Sequence, residues 1–280
     1  MKTLSLPLRD TTVDLDTCIA RASAQAKPRL VAHRGEILAL FDNYTGNGAW
    51  DFERVEDLEH FPKDVRADLR KTYSLTYPNR ALHTLRSDLL SVANNLCPYC
   101  RLEEPSTLDH FLPKSRHEPF ASFAPNLVPM CKTCNTLKGT KGSKNARQFF
   151  THAYFNQLAN EDRFVIAQVA VGARHIATNF IIDFSADLDA NILQRLAYQF
   201  SILRLGPRYQ LAAIDLIYTQ AVKLAEMERD GCNAEVRRTS LEGDALVEKR
   251  IFGASYWKAA LLEALATNEP FYTDGYHRAL

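Results

Sequence analysis

Four of the six cysteines fall into two Cys-x-x-Cys pairs, Cys97/Cys100 in CPYC and Cys131/Cys134 in CKTC, while Cys18 and Cys232 stand apart. One Cys-x-x-Cys turn lets two thiolates reach the same tetrahedral Zn²⁺, and two such turns supply all four ligands. Four thiolates leave no open coordination position, so the expected site is structural rather than catalytic. The thirty residues between Cys100 and Cys131 exceed ordinary zinc-ribbon spacing, and the ion would therefore staple the two ends of an inserted element. A disulfide framework belongs to shorter, cysteine-denser secreted chains, and neither pair has the βαβ context of a thioredoxin-like redox site.

Between and around these knuckles lie STLDHFLPKSR (106–116) and APNLVPMCKTCNTLKG (124–139). Asp109-His110 falls at a strand end, Asn126 follows sixteen residues after His110, and Asn135 with Lys138 opens a short helix. The pattern resembles the HNH nucleases, also called His-Me finger or ββα-metal enzymes. Their signature is an Asp-His pair, a middle Asn, then Asn or His ahead of a Lys-Gly, in many members flanked by Cys-x-x-Cys pairs. The resemblance covers about residues 97–147, under a fifth of the chain.

The resemblance implies a role for each matching residue. His110 would be the general base that takes a proton from water, a task suited to an imidazole titrating at about pH 6.5. Asp109 and Asn135 would be the protein ligands of one catalytic Mg²⁺ or Mn²⁺, hard ions that prefer oxygen donors. Asn126 would pin the loop that orients His110. Lys138, with Lys114 and Lys141, would hold backbone phosphate as a point charge. Asn135 is a departure from the subgroups that carry His there, and it shifts the expected metal preference away from soft ions. The implied reaction is phosphodiester hydrolysis of DNA leaving 5′-phosphate and 3′-hydroxyl ends. An RNA nuclease (on tRNA, for example) with the same centre and a non-cleaving zinc adaptor are the alternatives.

These residues need elements to position them. Leu15, Cys18, Ile19 and Ala22 share one face of a first helix after Asp14, which Pro28 is expected to break; Leu30, Ile37, Leu38 and Phe41 predict a second helix ending near a Tyr44–Gly48 turn. Leu82, Leu85, Leu89, Val92 and Leu96 predict a helix running straight into CPYC. Beyond residue 150, the alternating runs 163–171 and 175–184 around Gly172 predict a β-hairpin. Helical periodicity then returns from Leu188 to Phe200, after Gly206-Pro207, and around 234–249 and 254–267, before an irregular tail from Glu269. The expected fold is mainly α, with a zinc-stapled ββα finger and a small β-hairpin, α+β overall. Its expected regions are a helical 1–96, the finger 97–150, and a hairpin and helical region 151–280.

The remaining singular residues read as structural. Cys18 lies on an apolar helical face as a small hydrophobe. His117 and His152 read as solvated or core-satisfied, and Trp50 and Trp257 as packing residues rather than base-stacking platforms.

Composition narrows the class. The chain has 280 residues, 46% hydrophobic and 24% charged, which excludes wholesale disorder and is enough to bury a core. The net charge of +1 excludes a uniformly basic coat, yet 97–147 carries eight Lys/Arg against four Asp/Glu, so a basic module sits in a net acidic frame. No apolar run approaches the roughly 20 residues of a bilayer span, and MKTLSLPLRDTTVDLD turns acidic too soon for a secretory leader. A soluble, cytoplasmic protein without membrane contact is expected. The layout of helical arm, CPYC finger, FTHAYF segment and helical tail is similar to the HNH subunits that anti-phage operons such as the Septu type pair with an ATPase. With no Walker A loop in the chain, ATP use would come from such a partner docked on the helical flanks.

Overall fold

Asp10 opens the first helix by accepting hydrogen bonds from the amides of Thr12 and Val13, two of the orphan donors every helix start must satisfy. The computed structural model describes residues 1–46, 61–141, 148–156 and 158–280. Trp50, Lys144, Arg147 and the Gly48 end of the second predicted helix lie outside the described residues. Contacts divide the chain into two compact units, Thr3–Gln157 and Leu158–Leu280 with Met1–Lys2. The boundary expected at 96/97 is thus not a division between units, because the N-terminal helices and the finger share one core.

In the first unit α1 (Thr11–Ala20), α2 (Ala26–Ala32), α3 (Arg34–Gly46), α4 (Lys63–Thr72) and α5 (His83–Ser91) precede the finger. Leu15, Cys18, Ile19, Leu30, Ile37, Phe41, Leu69, Leu85 and Leu89 form their buried side. Pro28 does not break a helix. It lies in the first turn of α2, where the N–H it lacks would have no intrahelical partner. The second predicted helix is interrupted at His33. The helix predicted to reach CPYC stops at Ser91, since Asn94 and Asn95 adopt φ of 48° and 60°. Asparagine tolerates this left-handed region better than most residues, and it turns the chain out of the helix.

The finger is β1 (Thr107–His110), β2 (Leu127–Met130) and α6 (Lys132–Lys138). The strands pair antiparallel, Thr107 opposite Met130 and His110 opposite Leu127. Asp109-His110 does close a strand. Asn135 sits in the middle of α6 and Lys138 ends it, rather than the two opening the helix.

The second unit holds the predicted hairpin, β3 (Val165–Val171) with β4 (Ile176–Ile182), in register from Val165/Ile182 to Val171/Ile176. It is followed by α7 (Ala190–Ile202), α8 (Leu205–Arg229), α9 (Ala234–Phe252), α10 (Trp257–Thr267) and α11 (Glu269–Thr273). Trp257 packs as expected, buried and stacked on Tyr209 at 6.0 Å. The tail is not irregular: Asn268 caps α11 by accepting from the Phe271 amide, and Pro270 stands in its first turn. Asn-x-Pro was the legible start signal. Buried Arg237 of α9 then fastens the tail through the carbonyls of Tyr272 and Thr273 at 3.0 and 2.9 Å. Among the described residues no helix is long and apolar enough to cross a membrane.

Candidate active site and metal centre

The four knuckle cysteines come together. All are buried and unbridged, and their sulfurs lie within 4.8 Å of one another. Each knuckle is preset by its own backbone. The Arg101 amide donates to the Cys97 carbonyl at 2.9 Å with Arg101 at φ 55°, and Cys131 caps α6 by accepting from the Cys134 amide at 3.3 Å. Cys100 and Cys131 Sγ are 3.8 Å apart. A tetrahedral ion with Zn–S bonds of about 2.3 Å requires an edge of about 3.8 Å between sulfurs. Hydrogen bonding from Cys131 holds the Cys100 thiol far below its ordinary range, and the same bond pushes Cys131 up. Four sulfurs this close compete for negative charge, which a divalent cation would relieve. The donor set could hold zinc.

β1 presents two chemically different faces, because successive side chains of a strand point to opposite sides. Thr107 and Asp109 face α6. Asn135 Nδ2 donates to Thr107 Oγ1 at 2.9 Å, and Lys138 Nζ stands 2.7 Å from Asp109 Oδ2. Asp109 is 4% and Lys138 1% exposed, so this is a buried ion pair. Burial pushes the Asp109 carboxyl above its ordinary pKa while the ammonium opposes the shift. Lys138 Nζ also donates to the His110 carbonyl at 3.0 Å. In this structure Lys138 is the internal counter-charge of Asp109 rather than an exposed cation. Lys141 is exposed beyond the end of α6 and donates to the Leu137 carbonyl at 2.7 Å. Lys114 is half-buried, its Nζ 4.2 Å from the centre of the Tyr73 ring.

His110 lies on the other face. Its Nε2 is 2.9 Å from the Ala121 carbonyl, which can only accept, so Nε2 carries the proton and Nδ1 keeps its lone pair. Tyr73 stands edge-on at 4.4 Å, its hydroxyl donating to the Leu108 carbonyl. Burial, aided by the charges of Lys114 and Lys138, lowers the His110 pKa to about 4. The ring is neutral at physiological pH and half-buried at the strand end.

Asn126 is wholly buried and uses its complete amide. Nδ2 donates to the carbonyls of Leu112 and Phe120, both at 3.1 Å, and Oδ1 accepts from the Leu112 amide at 2.8 Å and the Tyr44 hydroxyl at 3.1 Å. These bonds span the segment carrying Ala121, the partner of His110. The network continues past the sequence pattern. His152 Nδ1 accepts from the Tyr154 amide at 3.1 Å, so its Nε2 carries the proton and faces the Tyr44 hydroxyl at 3.2 Å. Hydrogen bonds thus run from His152 through Tyr44 to Asn126. Burial, first, and Lys138, second, depress His152 to about 3, so it is a neutral core histidine. His117 is half-buried, and burial lowers it to about 4. Cys18 is buried 3.4 Å from Ser122 Oγ, and burial pushes its thiol up to about 11.

Sequence reasoning missed Tyr44 and Tyr73. Tyr44 reads as part of the turn that ends a helix, and nothing local marks it as the link between Asn126 and His152, 82 and 108 residues away.

A 61-residue stretch of the chain is 46% identical to the Septu protein PtuB of Bacillus thuringiensis, covering 20% of this chain and 24% of that protein. The match thus spans about a quarter of that relative's length. No protein-family model matches the chain, and no solved structure matches it.

Proposed function

We propose that this chain is a metal-dependent HNH-type endonuclease that hydrolyses phosphodiester bonds of nucleic acid, DNA first, in Septu-type anti-phage defence alongside an ATPase partner. The observation that carries the reading is His110. A neutral, half-buried imidazole at the end of β1 has Nε2 committed to the Ala121 carbonyl, which leaves the lone pair on Nδ1. A neutral imidazole is the state from which a general base starts. The similarity to PtuB supports the defence setting.

In this reading Nδ1 of His110 takes a proton from the water that attacks phosphorus, and the bond to the 3′ oxygen breaks. Asn126 holds residues 112–121 in place, and so keeps the Ala121 carbonyl on Nε2 and the ring at one angle. The four cysteines hold structural zinc. Asp109 and Asn135 contribute a carboxylate and an amide oxygen on facing elements, a donor pair suited to Mg²⁺ or Mn²⁺. Because Lys138 already compensates Asp109, such an ion would share or displace that ammonium. When bound, it neutralises charge on the scissile phosphate and the leaving oxygen.

The purified chain, alone and with the product of its neighbouring gene, is incubated with plasmid DNA and total RNA in Mg²⁺ or Mn²⁺. Cleavage is expected, falling by roughly 10²–10⁴ in His110→Ala, the usual worth of a positioned base, without change in fold or zinc content. Added metal should not rescue it. Cleavage of RNA alone would reassign the substrate, and undiminished cleavage by His110→Ala would remove the nuclease assignment.

A further inference from the structure

The surroundings of His110 are built partly from the helical segment ahead of the finger. Tyr73, edge-on to His110 at 4.4 Å, is the hub. Lys114 Nζ lies over its ring at 4.2 Å, and Tyr77, 46% exposed, meets it edge-on at 5.6 Å. The Arg86 guanidinium stands beside the Tyr73 hydroxyl, its charge opposing the rise that burial causes in that group's pKa. Exposed Arg70, at the end of α4, is close enough to Lys114 to help lower the ammonium's pKa, though burial does more.

The charges here are only partly spent. Arg70 faces Glu118 at 3.5 Å, while Arg86 donates to a neutral carbonyl, that of Ser106, at 2.7 Å. Among the described residues, three cations stand against one carboxylate, which leaves net positive charge beside a half-buried imidazole, with an aromatic ring open to solvent at its edge. Cations that track a backbone, interleaved with aromatic faces for bases, are what a single strand requires; a closed duplex offers no base face to stack.

We propose that Arg70, Tyr77, Arg86 and Lys114 form a seat for an unpaired stretch of polynucleotide, its phosphates on the three cations and one base on Tyr77. The seat rests on the reading of His110 as the catalytic base, since it would deliver the strand there, but its binding is measured without cleavage. It places part of the substrate surface outside the finger, on α4, α5 and the turn between them.

The test uses the full chain in the His110→Ala background, without added Mg²⁺. Anisotropy of a fluorescein-labelled mixed 12-mer is read as single-stranded DNA, single-stranded RNA and duplex DNA. Tyr77→Ala should weaken single-strand binding about 5- to 150-fold, as loss of one stacked base does, with little change on duplex, while Tyr77→Phe keeps wild-type affinity. Arg70→Gln, Arg86→Gln and Lys114→Gln should each lower the salt slope by about 0.7. The two single-strand arms decide whether deoxyribose or ribose is preferred. Absent binding, equal binding of duplex and single strand, or affinities untouched by all four changes would overturn the seat. The nuclease reading fails separately. A wild-type chain that binds strands as described yet cuts none in Mg²⁺ or Mn²⁺ would retain the seat and lose the nuclease. A chain that cuts, with these four variants matching it in affinity and KM, would do the reverse.

Discussion

The two antiparallel hairpins are held by opposite means. β3 and β4 run seven residues each, and outward positions such as Gln168, Ala170 and Asn179 keep contact with solvent while Val165 and Phe180 are buried. Pairing over that length with one face on α8 and α10 needs little else. β1 and β2 run four residues each, and every position but Thr107 and His110 is buried, the Asp109 carboxylate included. Four rungs are too few to secure a hairpin alone. This one is tied from outside: by the cysteines at its flanks, by Lys138 on Asp109, and by Asn126 with Tyr44 and His152. Enclosing ionisable and amide groups costs desolvation that only full pairing offsets. The proposed site lies on the hairpin with the polar core.

The contrast is most exposed at the thiols. If they fasten the first hairpin through zinc, Cys97→Ser should abolish cooperative unfolding of the first unit, since structural zinc supplies on the order of 10 kcal/mol of coupled folding energy. Elemental analysis should find about one zinc per wild-type chain. Metal-free protein that unfolds as cooperatively as before would leave the hairpin without its main tie.

Next in size is the enclosed ion pair. Lys138→Met strands the Asp109 carboxylate in the core and should cost about 3–5 kcal/mol in denaturant unfolding, whereas adding Asp109→Leu should recover most of it. A double variant as unstable as the single one would show that the pair is not what the fold depends on.

A smaller, pH-dependent effect should separate the two regions. The folded pKa of His152 is depressed to about 3 against an unfolded value of about 6.5. Its contribution is therefore complete above about pH 6.5 and is lost as pH falls towards 3. Thermal unfolding at matched zinc content should weaken over that window, and His152→Gln should flatten the slope. Equal slopes in wild type and variant would remove His152 from the acid response.

The least effect belongs to the second hairpin. Asn179 Nδ2 donates to Gln168 Oε1 at 3.1 Å on the exposed face, and Asn179→Ala should change stability by no more than about 0.5 kcal/mol. A cost matching that of Lys138→Met would erase the distinction between the hairpins.

Much of this was legible in the chain alone, and the reason is local. A Cys-x-x-Cys turn sets its two sulfurs by backbone geometry over four residues, so CPYC and CKTC declared a four-sulfur cluster before any fold was known. Alternation in 163–171 and 175–184 declared a hairpin because side-chain period is a property of the strand itself. The Asp-His, Asn and Asn-Lys pattern likewise selected a strand, a loop anchor and a helix. What each polar group does there depended on burial and on partners distant in sequence. Lys138 reads as a basic residue on a short helix, and enclosure beside Asp109, 29 residues earlier, turned it from a surface charge into an internal counter-ion. Tyr44 and His152 carry no local sign of their hydrogen bonds, because a buried tyrosine or histidine and a functional one have the same neighbours in sequence. Only the packing of α3 against the segment after the finger brings Tyr44 onto Asn126 and His152 onto Tyr44, adding a second donor to an amide oxygen that already accepts from Leu112.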